Sequence, residues 1–213
     1  MTERRGIGIF GGTFDPIHLG HIHLANSVYQ KLNLAAVHFI PAAHPLLRTP
    51  PQASEAQRVR MVQLAVATQP FFSVDDREIR RGGNSYMIDT LVDIRAAFPE
   101  APLCLIIGVD QFSKFDQWKG WLDMPSLSHI VVTTRQGFEC VLNSQIKDFL
   151  FKHKTDKVRD LQQLTCGKIF LLSLDTLPIS STEIRGKIAK GEDVGPYLPK
   201  EVGDFITQCG LYK

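Results

Sequence analysis

Cysteine is scarce in this chain of 213 residues: Cys104, Cys140, Cys166 and Cys209 stand far apart, with no C-x-x-C pair among them. That spacing excludes a disulfide framework and the common zinc modules, and Cys104, inside an apolar run, reads as a buried thiol. Charge of one sign is also lacking. Lys and Arg number 24 against 22 Asp and Glu, and no basic block occurs, so a nucleic-acid surface is not expected. No apolar run is long enough for a membrane span. The opening "MTERRGIGIF" has no secretory apolar stretch, so a reduced, cytoplasmic setting is expected. Repeats and low-complexity tracts are absent. So are G-x-x-x-x-G-K-[ST] and G-x-G-x-x-G, which removes support for a P-loop or for hydride transfer on a dinucleotide.

What is present is a 44% hydrophobic chain with ample material for a core. Residues 7–11, 36–41, 103–108, 129–134 and 168–174 are short, apolar and rich in β-branched or aromatic side chains, as parallel strands buried on both faces tend to be. Between them lie helical patterns. Leu19, Ile22, Ala25, Val28, Tyr29 and Leu32 form one apolar stripe. Ser54 and Gln57 are spaced as a capping box, the helical period returns in 85–98, and a last helix runs from Pro199 to Gly210. This alternation predicts a doubly wound, mostly parallel, Rossmann-like α/β sheet with helices on both faces. A single domain over 1–213 is expected, with 136–167 a surface insertion of one or two helices and 175–213 a C-terminal helical part. The Pro-rich stretch 42–52 follows the second strand, where open sheets place ligand loops.

The stretch "FGGTFDPIHLGH", Phe10 to His21, joins the first strand to the first helix at the carboxyl edge of the sheet. Gly11 and Gly12 let a nucleotide approach the backbone. His18 and His21, three apart, bracket the helix start, where N–H groups and partial positive charge favour phosphate; Thr13 adds a hydroxyl. Alone, an H-x-x-H pair at a helix start is more often ordinary surface. A metal site from Asp15, His18, His21 and His23 is the other alternative, with Gly20 and the lack of a nearby Cys or Glu against it.

The segment "GGTFDPIHLGH" resembles the T/H-x-G-H motif of the nucleotidyltransferase α/β superfamily, and "ISSTEIR", Ile179 to Arg185, resembles its I-S-x-T-x-I-R motif. Ser180 and Glu183 also fit a capping box, so the second motif alone could mark only a helix start. Together, the two are specific. Within the superfamily the chain resembles bacterial nicotinate-nucleotide adenylyltransferases over nearly its full length. "LIIGVDQFSKFDQWKGW" (105–121) is similar to that family's I-I-G-x-D-x-x-x-x-F-x-x-W block, and "SYMIDTL", "TRQGF" and "GLYK" to three of its other segments. Three departures stand out: "HPLLR" (44–48) replaces P-P-H-K/R, Met87 stands where the family usually has Thr, and Gln136 replaces Pro.

The resemblance implies transfer of AMP from ATP to nicotinate mononucleotide, giving deamido-NAD and pyrophosphate in NAD biosynthesis. A phosphate monoester is already nucleophilic, so catalysis reduces to alignment and charge neutralisation. It further implies catalytic roles for His18, His21 and Arg185. ATP contacts would come from Gly11, Gly12, Thr13 and Phe14, from Gly108 and Asp110, and from Ile179, Ser180, Ser181 and Thr182. Mononucleotide contacts would come from Arg48, Ser85, Tyr86, Met87, Trp118, Lys119 and Arg135. Mg2+ would ride on the ATP phosphates with no protein ligand. Asp110 could equally be a helix N-cap, Trp118 a core aromatic, and Tyr86 part of its helix's apolar stripe. His38 and His129 read as structural and His153 as solvated. ATP and the mononucleotide are the expected partners, with no nucleic acid and no membrane. Adenylylation of nicotinamide mononucleotide or another phosphate acceptor, and a non-catalytic nucleotide sensor of the same fold, are the alternatives.

Overall fold

A computed structural model describes residues 4–45, 49–135, 141–175 and 177–213. Its elements begin with β1 (Ile7–Gly12), α1 (Leu19–Lys31), β2 (Ala36–Pro41), α2 (Glu55–Val66) and β3 (Phe72–Val74). Two helices, α3 (Arg77–Arg81) and α4 (Met87–Ala97), lead to β4 (Leu103–Gly108), α5 (Val109–Phe112) and β5 (His129–Arg135). The rest comprises α6 (Ser144–His153), β6 (Lys154–Thr155), α7 (Val158–Gln163), β7 (Ile169–Leu174), α8 (Ser181–Ala189) and α9 (Lys200–Cys209).

The strands form one seven-stranded sheet in the order β3-β2-β1-β4-β5-β7-β6. β1 pairs in parallel with β4 (Ile7 opposite Leu103), β4 with β5, and β5 and β6 each with β7. This is the expected doubly wound α/β fold. The order reverses between β1 and β4, so Gly11 and Gly108 lie at the carboxyl ends of neighbouring strands, where such sheets bind ligands.

Local sequence explains most elements. Ala25, Val28 and Leu32 of the α1 stripe are buried. Ser54 caps α2 by accepting from the Gln57 N–H, and the Gln57 side chain accepts from the Ser54 N–H, the full capping box. Gly210 ends α9 in the left-handed region, at φ 61°. Two strands escape the sequence pattern. β3 has only three residues, and β6, two residues in a charged run, exists because Thr155 pairs with Phe170. Cys104 is buried in β4, and burial pushes its thiol up to about 12.

The chain divides into two compact units. One takes residues up to Gly11, Ser27–Val37 and Tyr86–Asp175; the other takes Gly12–Asn26, His38–Ser85 and Thr176–Lys213. Residues 141–167 carry α6, β6 and α7. His153, expected to be solvated, is half-buried, with Nδ1 3.0 Å from the Gly167 carbonyl and its ring 5.0 Å from Phe149. Among the described residues, no helix is long and apolar enough to cross a membrane.

Candidate active site

Within the second unit, the loop after β1 is set by packing before any chemistry enters. Phe14 has φ 51°, and its buried ring lies 5.9 Å from Phe39 and 5.2 Å from the His21 ring. A Cβ at Gly12 would sit 2.8 Å from that ring, so glycine is required there. The Gly12 carbonyl accepts from the Ala42 N–H at 2.9 Å.

His18 then opens α1. Its carbonyl accepts from the His21 N–H at 2.9 Å, and its own N–H donates to His21 Nδ1 at 3.2 Å. That acceptor role leaves the proton of a neutral His21 on Nε2. The two rings stack at 3.7 Å with 29° between their planes. A Cβ at Gly20 would lie 3.0 Å from His18 Nδ1, so the glycine between the histidines makes room for the first ring. His18 is 5% exposed, and burial, partly opposed by Glu183, lowers its pKa to about 4. It is therefore neutral at pH 7. Its Nδ1 is buried with no hydrogen-bond partner among the described atoms, an exception that calls for an explanation.

The second motif begins α8 against the same loop. Ser180 caps the helix: its Oγ accepts from the Glu183 N–H at 3.2 Å and donates to Glu183 Oε2 at 2.6 Å. Ser181 Oγ donates to the Pro16 carbonyl at 2.9 Å, and Arg185 Nη1 donates to the Asp15 carbonyl at 2.7 Å. Arg185 Nη2 reaches Thr182 Oγ1 at 3.4 Å. Ile179 lies 3.8 Å from where a Gly20 Cβ would be. Segments about 165 residues apart thus place two helix starts, two imidazoles and a guanidinium around one loop. Backbone N–H groups, neutral ring donors and one cation suit a polyphosphate.

Two contributors, Arg58 and Tyr212, escaped the sequence reading, and two others, Asp15 and Ser85, make contacts it did not foresee. Asp15, weighed above as a metal ligand, turns its carboxylate to donors of the protein itself. It accepts from the Gln52 and Ala53 N–H groups at 2.9 and 3.0 Å and from the Tyr212 hydroxyl at 2.8 Å. Among the described residues no group of three or more His, Cys, Asp or Glu could hold a metal. Arg58, 1% exposed, donates from Nη1 to the Thr13 carbonyl at 2.8 Å and from Nη2 to the Ala43 carbonyl at 3.1 Å. Its signal was available: on α2 it shares the buried stripe of Met61, Val62 and Ala65. Ser85 Oγ, expected to touch the mononucleotide, accepts from the Ala43 N–H at 2.8 Å.

The first unit carries the remaining candidates. A Cβ at Gly11 would lie 2.5 Å from Met87 Cε, so the Met87 thioether covers the strand end. Tyr86 is the N-cap of α4 and not part of its stripe; the Lys119 ammonium sits 4.4 Å from its ring centre and 3.2 Å from Asp89 Oδ2. Gly108, not Asp110, caps α5, and Asp110 is exposed in its first turn. Trp118 is half-buried with its ring 5.2 Å from Phe115, whose own neighbours are Phe112, Trp121 and Phe149. Arg48 and the Arg135 side chain lie outside the described residues.

A family profile described as "Cytidylyltransferase-like" matches residues 9–187. A protein of Aeromonas hydrophila named "Probable nicotinate-nucleotide adenylyltransferase" is 40% identical over 209 residues, covering 97% of each chain. One of the same name from Coxiella burnetii is 40% identical over 210 residues, covering 97% of this chain and 98% of its own. The chain belongs to the nicotinate-nucleotide adenylyltransferase family. Its fold is also that of Plasmodium falciparum nicotinic acid mononucleotide adenylyltransferase complexed with NaAD, with a TM-score of 0.75, 17% identity and 98% of both chains covered. As a member of this family the chain is a nucleotidyltransferase, and the stacked histidines and the α8 start fall on the family's two motifs.

Proposed function

We propose that the chain transfers AMP from ATP to nicotinate mononucleotide, forming deamido-NAD and releasing pyrophosphate. The observation that carries this reading is the His18–His21 stack held against the start of α8 by the Ser181–Pro16 and Arg185–Asp15 bonds. Relatives of about 40% identity bearing the same enzyme name support it.

In this reading an acceptor phosphate oxygen attacks the α-phosphorus of ATP. The new P–O bond forms as the bond to the bridging oxygen breaks, and the electron pair leaves with pyrophosphate. No protein nucleophile is required. His21 Nε2–H and the α1 amides donate to phosphoryl oxygens as charge develops, and His18, neutral through burial, stacks behind His21. Gly11, Gly12, Thr13 and Phe14 let the triphosphate approach the backbone. Ile179, Ser180, Ser181, Thr182 and Arg185 hold it from the α8 side, and Gly108 and Asp110 serve the nucleoside. Mg2+ fits as an ion carried by the ATP phosphates, because Asp15, the carboxylate of this loop, is taken up by two amides and a tyrosine. Bound there it would neutralise phosphate charge.

For the acceptor we assign Arg48, Ser85, Tyr86, Met87, Trp118, Lys119 and Arg135. Trp118, backed by Phe115, offers a ring face, and Lys119 beside Tyr86 offers a cation. Both compact units are assigned to a single nucleotidyltransferase domain, since the family profile runs through them, with 136–167 a surface insertion and 175–213 a C-terminal part. The thiols of Cys104, Cys166 and Cys209 are unpaired, in keeping with a cytoplasmic enzyme.

Met87, an apolar side chain where the family usually has Thr, favours a second reading in which nicotinamide mononucleotide is also accepted. Pyrophosphate release from ATP and Mg2+ with each mononucleotide decides between them. The expected result is turnover with nicotinate mononucleotide at least tenfold faster. Equal rates overturn the assigned acceptor, and no release with either overturns the reaction.

A further inference from the structure

Asp15 is 5% exposed, and a buried charge is tolerated only where donors surround it. The donors come from three distant parts of the second unit. Gln52 and Ala53 supply backbone N–H groups, Arg185 Nη1 stands 3.8 Å from Oδ2, and Tyr212 donates its hydroxyl to Oδ1 at 2.8 Å. The main chain of Asp15 does separate work, since its carbonyl seats Arg185 at 2.7 Å. Fixing the side chain therefore fixes the carbonyl on which the guanidinium rests, two residues before Ile17 and three before His18.

Tyr212 is placed with some effort. After Gly210 closes α9, the chain turns back through a second left-handed residue, Tyr212 itself at φ 65°, and buries the ring to 7% exposure. A non-glycine residue in that region is uncommon and is kept only where its surroundings enforce it. Burial and the neighbouring Asp15 both raise the phenol's pKa, so it remains a donor throughout the working range. Arg58 holds the Thr13 carbonyl, and its charge interacts with Asp15 and Tyr212.

We propose that Tyr212 is a positioning residue for adenylyl transfer, latching Asp15 so that the His18 loop and the Arg185 seat keep one geometry. The proposal rests on the adenylyl-transfer reading, but one of its consequences does not. Tyr212→Phe keeps the ring and deletes only the donor. Without any nucleotide, amide hydrogens of Gln52, Ala53 and residues 13–18 should exchange at least fivefold faster in Y212F than in the parent. With substrates, kcat/KM for ATP should fall about tenfold, while KM for the mononucleotide stays within twofold and the thermal midpoint falls only a few degrees. A merely structural tyrosine would lower the midpoint without this split between substrates.

Asp15→Ala, which removes the acceptor, gives a second route. If both variants act through one contact, the double variant D15A/Y212F should be no slower than D15A alone, whereas independent roles would multiply the losses. Lys213→Ala, next to the latch and exposed, should change nothing. Unchanged exchange in Y212F, kcat/KM for ATP within twofold of the parent, or multiplied losses in the double variant would each overturn the latch. A parent that releases no pyrophosphate, yet shows the exchange difference, would instead overturn the reaction and leave the latch standing.

Discussion

Two charged side chains staple loops in this protein, and they do so for different ends. Arg95, in the first unit, donates to the carbonyls of Phe98, Pro99, Ala101, Leu127 and Thr165 at 2.7–3.1 Å. Those residues precede β4, β5 and β7, so Arg95 gathers amino ends of parallel strands. Asp15, in the second unit, gathers segments that follow β1 and β2. In open α/β sheets ligands bind at the carboxyl ends, so one staple serves the frame and the other the site. A pair of histidines repeats the contrast. His129 and His18 are both buried, and burial lowers each pKa to about 4. His129 has a partner for each nitrogen, the Leu164 carbonyl and the Lys168 N–H, whereas His18 Nδ1 has none among the described atoms. The two share a pKa shift. Partner accounting is what separates a core histidine from one that faces chemistry.

The sharpest way to break this contrast is to delete the histidines. His21→Ala, which removes a transition-state donor, and His18→Ala, which removes the ring stacked behind it, should each lower turnover about 10²–10³-fold, with the thermal midpoint within a few degrees of the parent. His129→Ala should do the reverse: the Leu164 carbonyl and Lys168 N–H lose their partner, stability falls by about 2–4 kcal/mol, and turnover per folded molecule stays within twofold. Loss of turnover in H129A to the same degree would end the distinction. Urea unfolding and pyrophosphate release measure the two sides.

Arg95→Met sharpens the first contrast. Removing the guanidinium leaves five carbonyls short of a donor and should cost about 2–3 kcal/mol by urea midpoint, with KM and kcat at low temperature unchanged.

Acidification gives the smallest effect per group. His18 and His129 have folded pKa values near 4 against 6.5 in the free chain, so between those limits the unfolded state binds more protons. Stability therefore falls as pH drops below 6.5, by about 2 kcal/mol per histidine at pH 5, and is fully present above it. Urea midpoints at pH 7.5 and 5 should show this slope, with the His18 part of it removed in H18A. A slope unaltered in H18A would mean that His18 is not held neutral by burial.

Much of the fold was legible because its determinants are local. Five of the seven strands are apolar runs. The box of Ser54 and Gln57 closes over four residues, and so does the cap of Ser180 by Glu183. Other features were out of reach for the same reason. β6 is a strand only because β7 lies beside it, and His153 is half-buried only because Gly167 and Phe149 reach it. Tyr86 sat one position outside the stripe that periodicity suggested, because it precedes α4, and Asp110 sat two positions past the cap of α5, which Gly108 takes.

The sequence by itself determined which segments become strands and helices, and it displayed the two motifs that name the chemistry, since backbone preference and capping act within a few residues. Only the tertiary structure decided that Asp15 staples two loops, that Arg58 is buried to hold the Thr13 carbonyl, and that Tyr212 returns to meet a carboxylate 197 positions earlier. Such a bond leaves no periodic trace, because its partners are neighbours only after the chain has closed around them.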